Sequence, residues 1–227
     1  MAPLCYPLAW TLSPHLLRVA PDIARWYFTE AQRTRADFFV LPPSGTLYAY
    51  PGSMPPDLQA AFVAATEADA ILMNASASVA WEFAGTWPAA IAEYFPRYAS
   101  RRIVRALFAL NVPYMVPVVE FAPGEFFKVL GGSNSSAPGA VLFAPFEWRG
   151  TDGSTLLAPF SLNATAMAQL INSYAPGTVM HVYLTSDGGC SVASCFDALV
   201  PLLAPHVEVV GPGALADLAL QKAAGGA

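Results

Sequence analysis

Short apolar runs alternate with stretches of helical spacing along the whole chain, and this alternation limits the folds open to it. Residues 6–12, 37–41, 70–73, 114–120, 140–144, 179–184 and 207–210 read as strands. Between them, apolar residues recur at helical spacing: Ile23, Trp26, Tyr27 and Ala31; Leu58, Phe62, Val63 and Ala65; Ile91, Tyr94 and Phe95, resuming through Ile103, Val104, Leu107 and Phe108; and Met167, Leu170 and Ile171. Shorter helices are expected around 125–130, 195–203 and 215–220. Strands that are apolar throughout, rather than every second residue, suit parallel pairing with both faces covered. Seven successive strand–helix units then imply right-handed crossovers, in a barrel or an open doubly wound sheet. The face made by Ile23, Trp26, Tyr27 and Ala31 is expected in the core.

Composition sets the outer limits. The chain of 227 residues is 55 % hydrophobic and 12 % charged, which fits one well-buried domain over 1–227. A net charge of -5, with no basic cluster beyond Arg101, Arg102 and Arg105, lacks the footprint of a nucleic-acid binder. Mean hydropathy is +0.44, yet Pro or charge cuts each apolar run short of the roughly 18 residues of a membrane span. No nucleic acid and no membrane is expected as a partner. Cys190 and Cys195 either close a small loop or stay as two buried thiols. Asn74, Asn134 and Asn163 head glycosylation triplets that matter only in a secretory pathway. No basic region followed by an apolar one marks a signal peptide at the N-terminus.

In a parallel barrel the residues leaving the strands converge on one face. The unusual side chains of this sequence gather at such positions: Trp10 and His15; Ser44, Tyr48 and Tyr50; Asn74, Trp81 and Glu82; Glu120; Glu147, Trp148 and Arg149; and Asp187. Residues 37–51, DFFVLPPSGTLYAYP, form the most distinctive of these exits. A strand breaks at Pro42 and Pro43, a turn carries Ser44 and Gly45, and two tyrosines follow one residue apart. Each phenol offers an apolar face and a hydroxyl, a combination suited to hydroxyl-rich ligands.

Gly45-Thr46-Leu47-Tyr48-Ala49-Tyr50-Pro51 resembles the signature of the GxGYxYP putative glycoside hydrolase family, in its C-terminal catalytic-type domain. Leu47 replaces the second glycine, so a position that could take a positive φ or admit close ligand approach holds a side chain instead. PLAWTLSP near the start, AVLFAPFEWRG at 140–150 and VMHVYLTSDGG at 179–189 also resemble that domain. The resemblance implies a TIM-like (β/α) barrel, incomplete or seven-stranded, with parallel strands and helices outside. A full barrel takes about 250 residues, so missing upstream sequence is expected, including the family's N-terminal domain and a signal peptide.

The activity implied is glycoside hydrolysis, which uses one carboxylic acid to protonate the leaving oxygen and a second as nucleophile or base. Glu147 and Asp187 are the first candidates, on neighbouring strand ends. Their structural alternatives are a pair with Arg149 for Glu147 and a turn or helix cap for Asp187. Trp10, His15, Ser44, Tyr48, Tyr50, Trp81, Glu82, Glu120, Trp148 and Arg149 are the substrate-binding candidates; a strand-end Glu such as Glu82 or Glu120 often only anchors a loop through backbone N–H groups. No cofactor and no metal is expected, since the spacing of His15, His181 and His206 matches no ligand motif. A Ser44–His15–Asp187 hydrolase would lack the G-x-S-x-G elbow. The rivals to a hydrolase are a non-catalytic carbohydrate-binding domain and a truncated, inactive fragment.

Overall fold

In the computed structural model, residues 6–110, 121–122, 124–131, 139–145, 148–149, 156–157, 163–182 and 192–225 are described. The chain divides into two units, Met1–Ala144 with Val209–Ala227, and Pro145–Glu208. In the first unit, β1 (Leu8–Thr11) and β2 (Asp37–Val40) run parallel, with Leu8 opposite Asp37 and Thr11 opposite Val40. Their crossover carries α1 (Leu16–Val19) and α2 (Pro21–Thr34). Pro21 opens α2 where its missing N–H is no loss, and Arg35 ends it in the left-handed region at φ 55°.

α3 (Pro56–Leu72) leads to β3 (Ala77–Ala80). The chain then passes through α4 (Trp87–Ala89), a π-helical turn Ala90–Tyr94 and a 3₁₀ turn Phe95–Ala99 to β4 (Ala106–Ala109). β5 (Phe127–Leu130) and β6 (Ala140–Phe143) complete a sheet of order β3-β4-β6-β5. β3, β4 and β6 are parallel, and β5 is antiparallel to β6. One parallel bridge, Leu41 to Ser78, joins the two sheets.

The core of this unit lies between the strands and the segment from α4 to Ala99. Leu41, Leu107, Leu142, Trp87, Tyr94, Phe95 and Tyr98 are all buried there. Each large apolar side chain removed from water contributes on the order of 1.5–3 kcal/mol.

The second unit is built around β7 (Trp148–Arg149) paired antiparallel with β8 (Leu156–Leu157), α5 (Ala164–Asn172) and α6 (Val192–Leu199). Met167, Ala168, Ile171 and Leu199 form its core. Asn163 caps α5 by accepting from the Ala166 N–H at 2.9 Å. Asn172 donates to the Leu202 carbonyl at 2.9 Å and accepts from the Ala204 N–H at 2.7 Å, tying α5 to the chain beyond α6. In the first unit again, α7 (Pro212–Gly225) packs against β4, β5 and β6. Among the described residues no helix is long and apolar enough to cross a membrane.

The expected TIM-like barrel is overturned. The strands form small open sheets of mixed direction, and among the described residues β1 and β5 end the arrangement without meeting. Several short apolar runs had been assigned the wrong element. Residues 70–73 finish α3, whereas the third strand is Ala77–Ala80. Leu107 and Phe108 lie in β4 rather than a helix, and residues 127–130 form β5 where a helix was expected. A run such as ALFA, apolar at every position, carries no period by which helix and strand differ. Residues 179–182 and 207–210, expected as strands, are in none of the sheets.

Two helix faces also differ from expectation. Ile23, Trp26 and Tyr27 are exposed, while Ala24 is buried and Phe28 and Ala31 pack on the core. Both stripes have helical spacing, and Phe28 decides the matter by meeting the Phe39 ring edge-on at 4.9 Å. In α3, Leu58 and Ala65 face out and the buried side is Gln59, Phe62, Val63, Thr66, Glu67, Asp69 and Ala70. Polar residues occupy that side because the loop after β2 lies against it.

Candidate functional site

β2 delivers its loop at a point where Leu41 is already fixed in the core by its bridge to Ser78. Pro42 and Pro43 turn the chain, the Pro43–Ser44 peptide is cis, and the Gly45 N–H donates to the Pro42 carbonyl at 2.7 Å. Gly45 has φ +125°, and a Cβ there would stand 2.5 Å from Thr66 Oγ1, so glycine is required by both conformation and space. The next residue is held on three sides. The Thr46 N–H donates to Thr66 Oγ1 at 3.2 Å and its hydroxyl to Asp69 Oδ2 at 2.6 Å, while His15 Nε2 lies 3.2 Å from its carbonyl. Facing a carbonyl, that imidazole nitrogen is the one bearing the proton. Ser44 Oγ sits 2.5 Å from the Ala49 carbonyl and 3.0 Å from the Trp81 carbonyl, linking the loop to the exit of β3.

With its root fastened, the loop presents its tip to solvent. Tyr48 is 62 % exposed. Its ring centroid lies 5.7 Å from that of Trp81 and 5.9 Å from that of Tyr50; the Tyr50 centroid is 6.3 Å from that of Phe83. The two tyrosine hydroxyls are 3.3 Å apart. The result is an arc of four aromatic rings at the ends of β2 and β3. Strand alternation continues past β3, so Trp81 and Phe83 share a side, the first half-buried and the second exposed, while Glu82 between them is fully buried.

Residues 5–111 match the GxGYxYP putative glycoside hydrolase C-terminal domain. The resemblance carried by the loop therefore holds over that part of the chain, and segments 140–150 and 179–189 lie outside the matched residues. The fold is similar to that of a putative hydrolase from Bacteroides thetaiotaomicron VPI-5482, with a TM-score of 0.68 and 19 % identity. That similarity covers 95 % of this chain and 39 % of that one, so the chain spans well under half the length of this neighbour. No curated protein matches the sequence.

Beneath the arc of the GxGYxYP loop, Glu82 Oε1 accepts from the Gly52 N–H at 2.7 Å and Oε2 lies 2.8 Å from the Thr86 hydroxyl. Burial pushes the Glu82 carboxyl up to about 7, against the opposing pull of these two hydrogen bonds. Tyr94 and Tyr98 pair through their hydroxyls at 2.7 Å, and burial raises both phenols, Tyr98 to about 12. Glu67, also fully buried, differs in having a cation: Arg101 Nη1 stands 3.1 Å from its Oε2. Burial still raises the Glu67 carboxyl, and the guanidinium offsets part of that rise.

The structure thus gathers Ser44, Tyr48, Tyr50, Trp81 and Glu82 of the sequence candidates, with His15 behind the loop. Trp10 is elsewhere. Its indole N–H donates to Asp37 Oδ1 at 2.7 Å, toward the start of β2 and away from the loop end. Asn74 is not at a strand exit but just beyond α3, with φ 49°. Glu120, Glu147 and Asp187 lie outside the described residues, and Trp148 and Arg149 are described only as the backbone of β7.

Phe83, Gly52 and Thr86 belong to the site and were not among the candidates. Phe83 was legible: once Trp81 is placed outward at a strand end, the residue two further on shares its side. Gly52 and Thr86 carry no sequence signal, because they act through a backbone N–H and a single hydroxyl. Among the described residues no group of His, Cys, Asp and Glu is arranged to hold a metal ion.

Proposed function

We propose that the Tyr48, Tyr50, Trp81 and Phe83 arc is a carbohydrate-binding surface and that the chain acts as a glycoside hydrolase on the sugar held there. The observation carrying this reading is four rings side by side at two strand ends, Tyr48 and Phe83 exposed and Tyr50 and Trp81 half-buried, with paired hydroxyls at 3.3 Å to meet sugar hydroxyls. Ring faces stack on the apolar faces of pyranoses, and phenol hydroxyls both donate and accept. The family named for the matched residues supports hydrolysis as the reaction. Glu147 and Asp187 are the candidates from the sequence for the acid and the nucleophile or base, two roles whose separation decides retention or inversion.

Binding without chemistry is the second reading, and Glu82 favours it. This carboxyl, between Trp81 and Phe83 in the chain, is fully buried with both oxygens engaged, so it offers nothing to a ligand.

A glycan array probed with the wild-type chain, Tyr48→Ala and Trp81→Ala, followed by product analysis with Glu147→Gln and Asp187→Asn, tests both. Loss of a stacking ring is expected to weaken binding about tenfold, which corresponds to ~1.4 kcal/mol. Products that vanish in the carboxylate variants establish the hydrolase. Binding with no product from the wild type establishes the second reading, and binding indifferent to both aromatic substitutions overturns the arc as the sugar surface.

A further inference from the structure

The Thr86 hydroxyl stands 2.8 Å from Glu82 Oε2 and also 2.8 Å from the Phe83 carbonyl. A hydroxyl has one proton, so it can give a full hydrogen bond to only one of these acceptors at a time and at best a weakened, shared one to both. If Glu82 carries a proton on Oε2, the conflict disappears. The acid then donates to Thr86, Thr86 donates to the Phe83 carbonyl, and Oε1 remains free to accept from the Gly52 N–H at 2.7 Å. Every polar atom of the group is satisfied in the neutral form, and one is left short in the ionised form.

The surroundings agree with this count. A Cβ placed on Gly52 would come within 2.9 Å of both Glu82 Oε2 and the Ala90 Cβ, so the turn lies directly on the fully buried carboxyl. The titratable groups on the elements packed around it are the phenols of Tyr94, from the π-helical turn, and Tyr98, from the 3₁₀ turn that follows. A negative charge on Glu82 repels ionisation of each. Glu67 of α3 lies beyond Tyr98 and is matched with Arg101, and Arg97 donates to Gln59. Among the described residues Glu82 forms no ion pair with a cation that would offset its charge.

Gly52 directly follows the Tyr50–Pro51 pair, and Phe83 and Thr86 lie just past Trp81. The carboxyl therefore bridges the two segments that carry the arc. We propose that Glu82 is a protonation-dependent positioning residue, which as the neutral acid ties the Tyr50 turn to the Phe83 turn and on ionising releases them. The pKa of this carboxyl, raised by burial to about 7, places the change near neutral pH. The consequence for ligands rests on the carbohydrate reading: a sugar held by the braced arc binds less tightly as pH rises. If only the braced form binds, apparent affinity follows the protonated fraction, a loss of about tenfold between pH 6 and pH 8.

The test reads the loop without any ligand. Amide ¹H–¹⁵N shifts of Tyr50, Gly52, Phe83 and Thr86 are followed in the whole chain from pH 5.5 to 8.5, in wild type and Glu82→Gln. The amide side chain reproduces the neutral acid, accepting at Gly52 and donating to Thr86. The expected result is that all four resonances move together in wild type with a midpoint near 7, and stay near their low-pH positions in Glu82→Gln. The proposal is overturned if the wild-type resonances do not move, if the same titration persists in Glu82→Gln, or if Gly52 and Thr86 move while Tyr50 and Phe83 do not. Oligosaccharide binding from the array is then compared at pH 6 and pH 8. A chain that titrates as expected but retains no sugar supports the brace and overturns the carbohydrate reading alone.

Discussion

Every residue of β3, β4 and β6 is buried, whereas in β1 three of four residues are exposed and β2 buries only Phe39 and Val40. The two parts of the sheet meet at a single bridge, Leu41 to Ser78. The loop bearing Tyr48 and Tyr50 starts from that bridge rather than from the exposed wing. Its anchors, Thr66, Asp69, Ser44 and the Trp81 carbonyl, also lie on the buried side. The comparison teaches that a ring can be exposed and still be precisely placed, provided its backbone leaves the chain at a point already locked into the core. The wing, by contrast, carries exposed Val19, Ile23 and Trp26 on the outer side of its helices.

This contrast can be broken first at the bridge. Leu41→Ala removes a fully buried side chain and is expected to cost about 2–5 kcal/mol in urea unfolding. A smaller loss would mean that the seam is looser than its burial indicates.

The pH response sharpens the same point. Glu82 is held at about 7 in the fold against 4.5 for an ordinary glutamate, so its contribution is fully present below pH 4.5 and is lost as pH rises through about 7. At ~1.4 kcal/mol per tenfold in acidity, wild type is expected to lose about 3 kcal/mol over that window, in excess of Glu82→Gln. Parallel curves for the two proteins would remove Glu82 as the cause.

Gly45→Ala comes next, at about 1–3 kcal/mol, because the new methyl meets both a positive φ and the Thr66 side chain. Its effect should also appear as broadened Tyr48 and Tyr50 resonances. On the wing, Trp26→Gln is expected to change stability by no more than about 0.5 kcal/mol, since the ring is 59 % exposed. A large loss there would show that the wing is not as independent as its exposure suggests.

The sequence made the aromatic tip readable and left its foundations unread. Tyr48, Tyr50 and Trp81 stand beside prolines and strand ends, where composition and turn chemistry are informative. The resemblance through Gly45 to Pro51 likewise survived comparison over residues 5–111. The barrel did not survive, and the reason is local. ILM at 71–73 and ALFA at 106–109 are apolar throughout, so nothing in their spacing separates a helix end from a strand. Because 70–73 closes α3 and the strand begins only at Ala77, Asn74 marks a helix end and not a strand exit. The polar side of α3 was missed for a different reason: Gln59, Thr66, Glu67 and Asp69 look like a solvated face until the loop is known to lie on them. Hydrogen-bonded foundations depend on backbone atoms from distant segments, which no local pattern encodes.

Tyr94 and Tyr98 give the core an alkaline limit. Their paired hydroxyls lie among buried rings, and neither phenol ionises at the pH where exposed tyrosines do. The folded state therefore loses stability as pH climbs above the usual phenol range and the unfolded chain gives up protons that the folded one retains. Tyrosinate absorbance in the near ultraviolet would rise gradually as the surface phenols ionise and then jump when the core opens and these two join them. The chain carries its own optical marker of that collapse, with no label attached.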